Sequence, residues 1–600
     1  RKICKGVFSS FSRTREPCLI IIRERGKRGL PLEGVYRLLY NPDLYLRAYG
    51  KLYPNRGAMT KGATEETVDG MSLTKIEQLI DNVRHERHRW MPVRRVYIPK
   101  SNGKERPLGL PSWSDKLLQE VMRSILEAYY EPQFSDHSYG FRPDHGCHTT
   151  LREVQAKWTG TRWFIEGDIA QYFDTICHDV LLEILAEKIH DNRFLRLVRH
   201  LLESGYLEDW RYHATYSGTP QGGVVSPILA NIYLDKLDQY VEKILIPAYT
   251  RGKRRAENPK YKSLKDKIAY RKKVGQKKEY KLLRRQMQQI PSYAPNDPDY
   301  RRLRYVRFAD DFLLGFSGTR HEAEEIKRQI GKYLRDTLKL ELSEKKTLVT
   351  QASTQAARFL GYHIVNQQND SKHAKNRRCA NGKIGLRVPS DVVEKKCKRY
   401  MTKGKPTHRP ELLQDSDFSI TARYQQEYRG IVQYYMLAQN VAHLHKLHWV
   451  MKVSLLKTLA NKHKTSTTVI ARKYQTTTQT PEGGKMKCLE VKVEREGVKP
   501  LVTQFGGISL RPQPKATIVD KLPKPMNTTT EIEQRLLANV CEVCGGTDEI
   551  EVHHIRKLAD LNRSGQREKP NWVKLMAARR RKTLVVCRTC HDNIHAGRMT

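Results

Sequence analysis

The chain has 600 residues, with 109 Lys and Arg against 65 Asp and Glu and a formal charge of +44. That excess is far beyond the net charge of about 2 to 8 that solubility asks of a small domain, and it points to a polyanion, because each phosphate neutralised releases condensed counterions. A membrane span is excluded as a reading: the longest apolar run near the start, CLIII at 18–22, is far shorter than the roughly 20 residues a span needs.

The length suits about four domains. The sequence opens on Arg1 with no signal-peptide layout, as in a chain given without its natural start. Residues 31–98 mix short helical patterns with turns at NP (41–42) and VDG (68–70), a small helical prelude. IPKSNGKERPLGLP (98–111) reads as strand, turn, strand, with Lys100 and Arg106 as cations able to hold a triphosphate. Beyond Pro111, Leu117, Leu118, Val121, Ile125 and Tyr129 keep helical spacing. Alternation in RWFIEGDI (162–169) and RLRYVRFADDFLLG (302–315) adds strands, so the body is α+β. GTPQGGVVSPILANIYLD (218–235) is a Gly-rich loop entering a helix; its backbone can approach a base pair or phosphate, and Gln221 offers both donor and acceptor.

Residues 246–303, rich in Lys, Arg, Gln and Tyr, read as a partly helical, phosphate-facing insertion. After FLGYHIV (359–365) a basic linker runs to about Gly385. From Tyr424 to His463 the pattern is helical, with Leu444, Leu447, Val450, Leu455 and Leu459 at core spacing. Residues 475–530 read as a loosely packed basic module, and the final 60 concentrate Cys and His. No repeat of fixed period occurs. Of eleven cysteines, seven stand singly and the last four form two CxxC pairs, which is intracellular metal usage rather than a disulfide framework.

The chemistry concentrates at FADD. Alone, Asp310 and Asp311 could be a turn, since Asp favours turns. Asp168, ending the strand of FIEGDIAQYFDT (164–175), is a second strand-end carboxylate. Such oxygens can hold divalent ions about 3.5 to 4 Å apart that clamp both oxygens of a phosphoryl transfer, a task suited to Mg²⁺. Because neighbouring strand residues face opposite ways, Asp310 is expected to be the direct partner of Asp168 across the two metals and Asp311 to be more peripheral.

IPKSNGKERPLGLP, SYGFRPDHGCH (138–148), GDIAQYFDTICH (167–178), TPQGGVVSPILANIYLD, FADD, LKLELSEKKT (338–347) and FLGYHIV occur in the order and rough spacing of group II intron reverse transcriptases, and the chain resembles that family over about 35–365. The resemblance implies that Asp168, Asp310 and Asp311 bind the catalytic Mg²⁺, that Lys100 and Arg106 contact the triphosphate, and that Phe173 excludes a ribose 2′-OH. Gln221 would lie beside the incoming nucleotide, and Lys346 falls in the later Lys motif of the palm. Phe308 departs from the Tyr many relatives carry, a tolerable loss of one hydroxyl.

Residues 427–463 resemble the maturase, or X, domain that grips intron RNA. Tyr428, Tyr435 and Trp449 could stack on bases while Arg429, Lys446 and Lys452 meet phosphates. His443, His445 and His448 fall on more than one helical face, which argues against a metal there.

CEVC (541–544) and CRTC (587–590) are a strong signal for structural Zn²⁺ on Cys541, Cys544, Cys587 and Cys590. EVHHIRKL (551–558) and CHDNIH (590–595) resemble an HNH nuclease. In that likeness His554 would deprotonate water and His553, His591 and His595 would hold a divalent ion, with Thr583 in the slot of the expected Asn. A plain zinc finger is the alternative; the histidines exceed what zinc alone requires.

The resemblance thus implies an α+β multidomain chain. Its parts would be an N-terminal extension with the start of the fingers (1–85), fingers and palm with an antiparallel sheet (86–365, insertion at about 246–303), a helical thumb or maturase domain (366–475), a basic DNA-binding region (476–532) and a small zinc-stabilised ββα HNH domain (533–600). It further implies intron RNA in a ribonucleoprotein, target DNA and deoxynucleoside triphosphates as partners, and an intracellular location, bacterial cytoplasm or an organelle. Two other readings stay open: a splicing factor that binds RNA without polymerising, opposed by the three intact acids, and a host-serving reverse transcriptase with an attached nuclease, opposed by the maturase-like segment.

Overall fold

The computed structural model describes residues 17–55, 57–99, 103, 105–219, 222–294, 297–369, 373–374, 377–378, 380–479, 483–495, 498–516, 530–561 and 569–599. The prelude forms helices Pro42–Leu52 and Leu73–Arg84, started by the side chains of Asn41 and Ser72, which accept from the amides of Asp43 and Lys75 at 3.0 and 3.2 Å. Next, Val93–Pro99 and Glu105–Leu110 form the expected hairpin, extended by Tyr206–Glu208 and Arg211–His213 into a four-stranded sheet. The helical spacing beyond Pro111 becomes Trp113–Tyr130, capped by Ser112 and buried at all five of its expected core positions.

A five-stranded sheet lies at the centre, in the order Leu348–Gln351, Trp163–Asp168, Asp311–Ser317, Arg302–Phe308, Ser138–Tyr139. Its pairs are antiparallel except the last. Tyr305, Phe312, Leu314 and Phe316 pack towards helices Ser226–Tyr240 and Arg320–Leu338 in one core; Phe164, Val306 and Leu313 face a second core shared with the carboxyl-terminal helices. A sheet buried on both faces explains why these strands read as nearly continuous apolar runs. The basic insertion stands off this body as helices Pro259–Lys273 and Lys277–Gln289, neither of which buries a residue.

Helix Asp417–Tyr434 is followed by a short turn Val441–Leu444 and helix His445–Lys462, which bury Leu444, Leu447, Val450, Leu455 and Leu459 as their spacing indicated. The module from residue 475 is not loose at its start: Gln475–Gln479, Lys485–Arg495 and Val498–Gly506 form a three-stranded antiparallel sheet. Leu489 and Phe505 point into the second core, and the Gln425 side chain brackets Gly506 with two hydrogen bonds of 3.0 and 3.1 Å. Of the Lys residues that gave the segment its open character, Lys485, Lys487, Lys492 and Lys499 are exposed. Finally, Ile550–His554 and Thr583–Cys587 pair antiparallel and lead into helix Arg588–His595. This unit shares the first core with the prelude. No helix among the described residues is long and apolar enough to cross a membrane.

Candidate active sites

Asp168 closes its strand, and the register sets Asp311, the first residue of the next strand, directly opposite it. Burial first, then the facing Asp168 carboxyl, raises the pKa of Asp311. Asp310 instead occupies the two-residue turn with Ala309, whose φ of 55° carries the chain round between the paired Phe308 and Asp311. Alternation does not govern a turn residue, so in backbone pairing Asp311 rather than Asp310 is the cross-strand partner of Asp168. Asp310 still belongs to the cluster. Burial first, then the Asp168 carboxylate, pushes its pKa up, while burial and both neighbouring acids push Asp311 up. Asp168, Asp310 and Asp311 thus gather at one end of the central sheet, carboxylate oxygens of the kind that hard divalent cations take. Lys346 closes the group with its Nζ 2.8 Å from Asp168 Oδ2.

The turn has a rigid base that composition does not announce. Arg307 and Asp238 are fully buried and form an ion pair at 2.6 Å. The guanidinium donates to Asp238 Oδ1 and Oδ2, Ser138 Oγ, Asn231 Oδ1 and the Ala309 carbonyl, the last at 2.9 Å. Tyr139 O accepts from Ala309 N at 3.0 Å, and at Gly140, φ +85°, a side chain would press on that amide. SYGFRPDHG thus buttresses the acidic turn.

Half-buried Phe173 sits edge-on to Tyr172 with ring centroids 5.3 Å apart. The Gly-rich loop packs on it: Phe173 O accepts from Thr219 N at 2.7 Å, and a Cβ on Gly218 would come within 2.6 Å of that oxygen. Arg106 is exposed on its hairpin, and its charge is felt at Asp310. Lys100 and Gln221 lie outside the described residues.

In the carboxyl-terminal helices the expected RNA contacts divide. Tyr428 and Tyr435 are only 1% and 6% exposed, so the expectation that they stack on bases is corrected. Tyr428 packs against His448 and Phe505, and Tyr435 against Tyr362 and Tyr434. Their spacing placed them on the core side, where an aromatic ring fills volume. Trp449 is 53% exposed; Arg429 and Lys446 are exposed and Lys452 half-buried.

At the carboxyl end the sulfurs of Cys541, Cys544, Cys587 and Cys590 all lie within 4.8 Å of one another, Cys544 and Cys587 at 3.6 Å. Tetrahedral zinc with bonds of about 2.3 Å places its sulfurs about 3.8 Å apart, so the set fits that ion. The second cluster joins His553, His591 and His595 to Asp69, a residue of the prelude. His553 is buried with both ring nitrogens lacking a hydrogen-bond partner, so its ring has a nitrogen to offer an ion. His591 Nδ1 lies 2.8 Å from Glu551 Oε2, an acid that orients the ring. His554 points the other way: its Nε2 is 2.9 Å from Tyr49 Oη, and burial drives its pKa down to about 3. Thr583 stands opposite His554 in register and accepts from Arg535 at 3.1 Å. Asp69, Tyr49, Arg307 and Asp238 were not singled out from sequence. The last two carried a signal, as charged residues at apolar-face positions of a strand and a helix; Asp69 carried none, its partners lying far along the chain.

Three families match this chain. Residues 98–252 match the reverse transcriptase (RNA-dependent DNA polymerase) family, 388–505 the type II intron maturase, and 541–591 the AI2M/AI1M-like HNH endonuclease. The group II intron-encoded protein LtrA of Lactococcus lactis subsp. cremoris is 37% identical, with 93% of this chain and 95% of that protein aligned. An uncharacterized 91 kDa protein in a cob intron of Schizosaccharomyces pombe is 33% identical over 94% of this chain and 69% of its own length. Protein YkfC of Escherichia coli is 32% identical over 62% and 90%. The maturase match running to 505 covers the three-stranded sheet, and the acids, histidines and cysteines stand in the geometry just described; the chain belongs to the group II intron-encoded proteins and carries reverse transcriptase, maturase and HNH endonuclease domains in one polypeptide.

Proposed function

We propose that the protein copies its intron RNA into DNA at a target site that it also cuts, with Asp168, Asp310 and Asp311 as the polymerase centre. The observation that carries this is the convergence of Asp311 on Asp168 across paired strands, with Lys346 closing the cluster. We read the amino-terminal sheet as fingers, the central sheet as palm and helices Asp417–Tyr434 and His445–Lys462 as thumb. Bound Mg²⁺ would supply charge neutralisation at the attacking and leaving oxygens. The chain's own part is positional. The acidic turn is fixed through Arg307, Arg106 and Lys100 hold the triphosphate, and Phe173 takes the space beside the sugar, so deoxynucleotides enter.

In the thumb, Trp449 offers an aromatic face for a base and Arg429, Lys446 and Lys452 meet phosphates of intron RNA, supporting its splicing. The exposed insertion helices extend the basic surface. In the nuclease, His553, His591 and His595 hold a divalent ion and His554 takes the proton of water, while the four cysteines hold structural zinc. A nick in one DNA strand then provides the 3′-OH for primer extension on the inserted intron RNA. The described cysteines form no disulfide, in keeping with an intracellular setting, and the bacterial relatives favour the bacterial cytoplasm.

The test is reconstitution with the intron RNA that encodes the chain, scored for splicing, target nicking and cDNA joined to the nick. Asp310→Ala should abolish cDNA and leave splicing intact. Wild-type protein that splices yet yields no cDNA on a nicked target would support the splicing-factor alternative instead.

A further inference from the structure

The nuclease face does not lie open. A two-residue bridge attaches the prelude to the edge of the ββ pair: Val552 O accepts from Gly70 N at 3.0 Å and Met71 O from Val552 N at 2.9 Å. Helix Glu531–Leu537 presses on helix Pro42–Leu52 so closely that a Cβ on Gly50 would lie 2.1 Å from Glu533 Oε1. Met71 and Val552, 1% and 0% exposed, are sealed in the same core. This contact places Asp69 over the histidines. Its Oδ2 is 2.9 Å from His595 Nε2, its Oδ1 is 3.3 Å from His591 Nε2 and 3.6 Å from His553 Nδ1, and it accepts from the His554 amide at 2.7 Å. His554 is 5% exposed, with its ring against Tyr49.

We propose that the nuclease is stored shut against the polymerase part of its own chain, with Asp69 as a fourth donor to the ion held by His553, His591 and His595, and that cutting requires this carboxylate to give way to a DNA phosphate. The inference rests on the nuclease reading above. A catalytic ion with three protein ligands keeps a place for water or substrate, and a carboxylate carries the same single negative charge as a phosphodiester. Asp69 therefore fills the substrate's place, and Tyr49 keeps the base from water. The device suits a chain of charge +44, which binds any DNA through its phosphates and would otherwise cut wherever it bound.

The test uses the full-length protein in an Asp310→Ala/Asp311→Ala background, so that Mn²⁺ titrated by electron paramagnetic resonance reports the nuclease cluster, with zinc content as the control for folding. Asp69→Ala should weaken Mn²⁺ binding about 10- to 100-fold. At saturating Mn²⁺ it should raise nicking of plasmid lacking the target about 5-fold or more and remove the Mn²⁺-induced slowing of hydrogen exchange in residues 66–72. Tyr49→Phe should raise nicking without changing Mn²⁺ affinity. Unchanged Mn²⁺ affinity in Asp69→Ala overturns the proposal. So does nicking that falls at saturating Mn²⁺, since Asp69 would then be a working ligand of the open site. If His553→Ala binds Mn²⁺ as wild type does, the nuclease centre itself is misread, and the proposal falls with it.

Discussion

Arg307 offers the sharpest test of how the acidic turn is held. All five of its N–H groups are spent on Asp238, Ser138, Asn231 and the Ala309 carbonyl, with both members of the ion pair fully buried. Arg307→Met keeps the apolar stem but leaves the Asp238 carboxylate buried with only the Tyr305 hydroxyl, 2.7 Å away, for company. Stranding one member of such a pair costs about 3–5 kcal/mol, a large part of the roughly 5–15 kcal/mol that holds a domain folded. Unfolding of a chain of several domains is not two-state, so the readout is local: hydrogen exchange in residues 302–317 should accelerate by the corresponding factor. Adding Asp238→Asn removes the stranded charge while keeping an acceptor for Tyr305, and most of the protection should return. Primer extension should not return with it, because the bond to Ala309 O is still missing; a turn displaced by about 1 Å costs about 100-fold in rate. Wild-type extension by the double variant would refute the positioning role. A cost under about 1 kcal/mol for Arg307→Met would refute the energetic one.

Three further outcomes follow from the other sites. Burial alone would raise the pKa of Asp417, but hydrogen bonds from Lys462, Tyr474 and His463 bring it down to about 2. Because the folded value lies below the unfolded one of about 3.9, the group contributes stability above that pH and loses it as pH falls towards 2. Asp417→Asn should then cost about 1–2 kcal/mol at neutral pH, the full shift being reduced by solvent screening, with the difference from wild type shrinking below about pH 4 in urea melts of the helical region; a difference that grows on acidification would contradict the sign. Phe173→Ala should improve ribonucleotide use relative to deoxynucleotides by about 10- to 200-fold, read as the ratio of kcat/KM values, and an unchanged ratio would remove Phe173 from the sugar's path. Cys544→Ser should release zinc, measured by mass spectrometry, and abolish nicking while primer extension persists, since structural zinc supplies about 10–16 kcal/mol to small folds; full zinc retention would contradict the four-sulfur site.

Short-range pattern made much of this legible. Helix Trp113–Tyr130 and the two carboxyl-terminal helices follow from apolar spacing, and the strand pair Val93–Pro99 and Glu105–Leu110 from the turn residues between them, most of which lie outside the described residues. The polymerase acids were readable because motifs at strand ends are local. Their pairing in the sheet was not, because register between distant strands decides that Asp311 faces Asp168 and a positive φ at Ala309 takes Asp310 out of the alternation. Tyr428 and Tyr435 misled for a related reason: an aromatic residue on a basic helix suits a base and a core equally, and only the packing of Phe505 on Tyr428 and of Tyr362 on Tyr435 shows which. That sheet escaped notice because its outward Thr and Lys outnumber the few inward residues. Asp69 was beyond reach, since a single acid in a turn acquires meaning only when the nuclease unit docks against it.

The central claim, that Asp168, Asp310 and Asp311 form the polymerase centre, is tested most directly by extending a DNA primer on an RNA template with deoxynucleotides and Mg²⁺. Wild-type protein should extend the primer, and Asp310→Ala and Asp311→Ala should each stop extension while RNA binding is kept. Extension that survives either substitution would contradict the assignment.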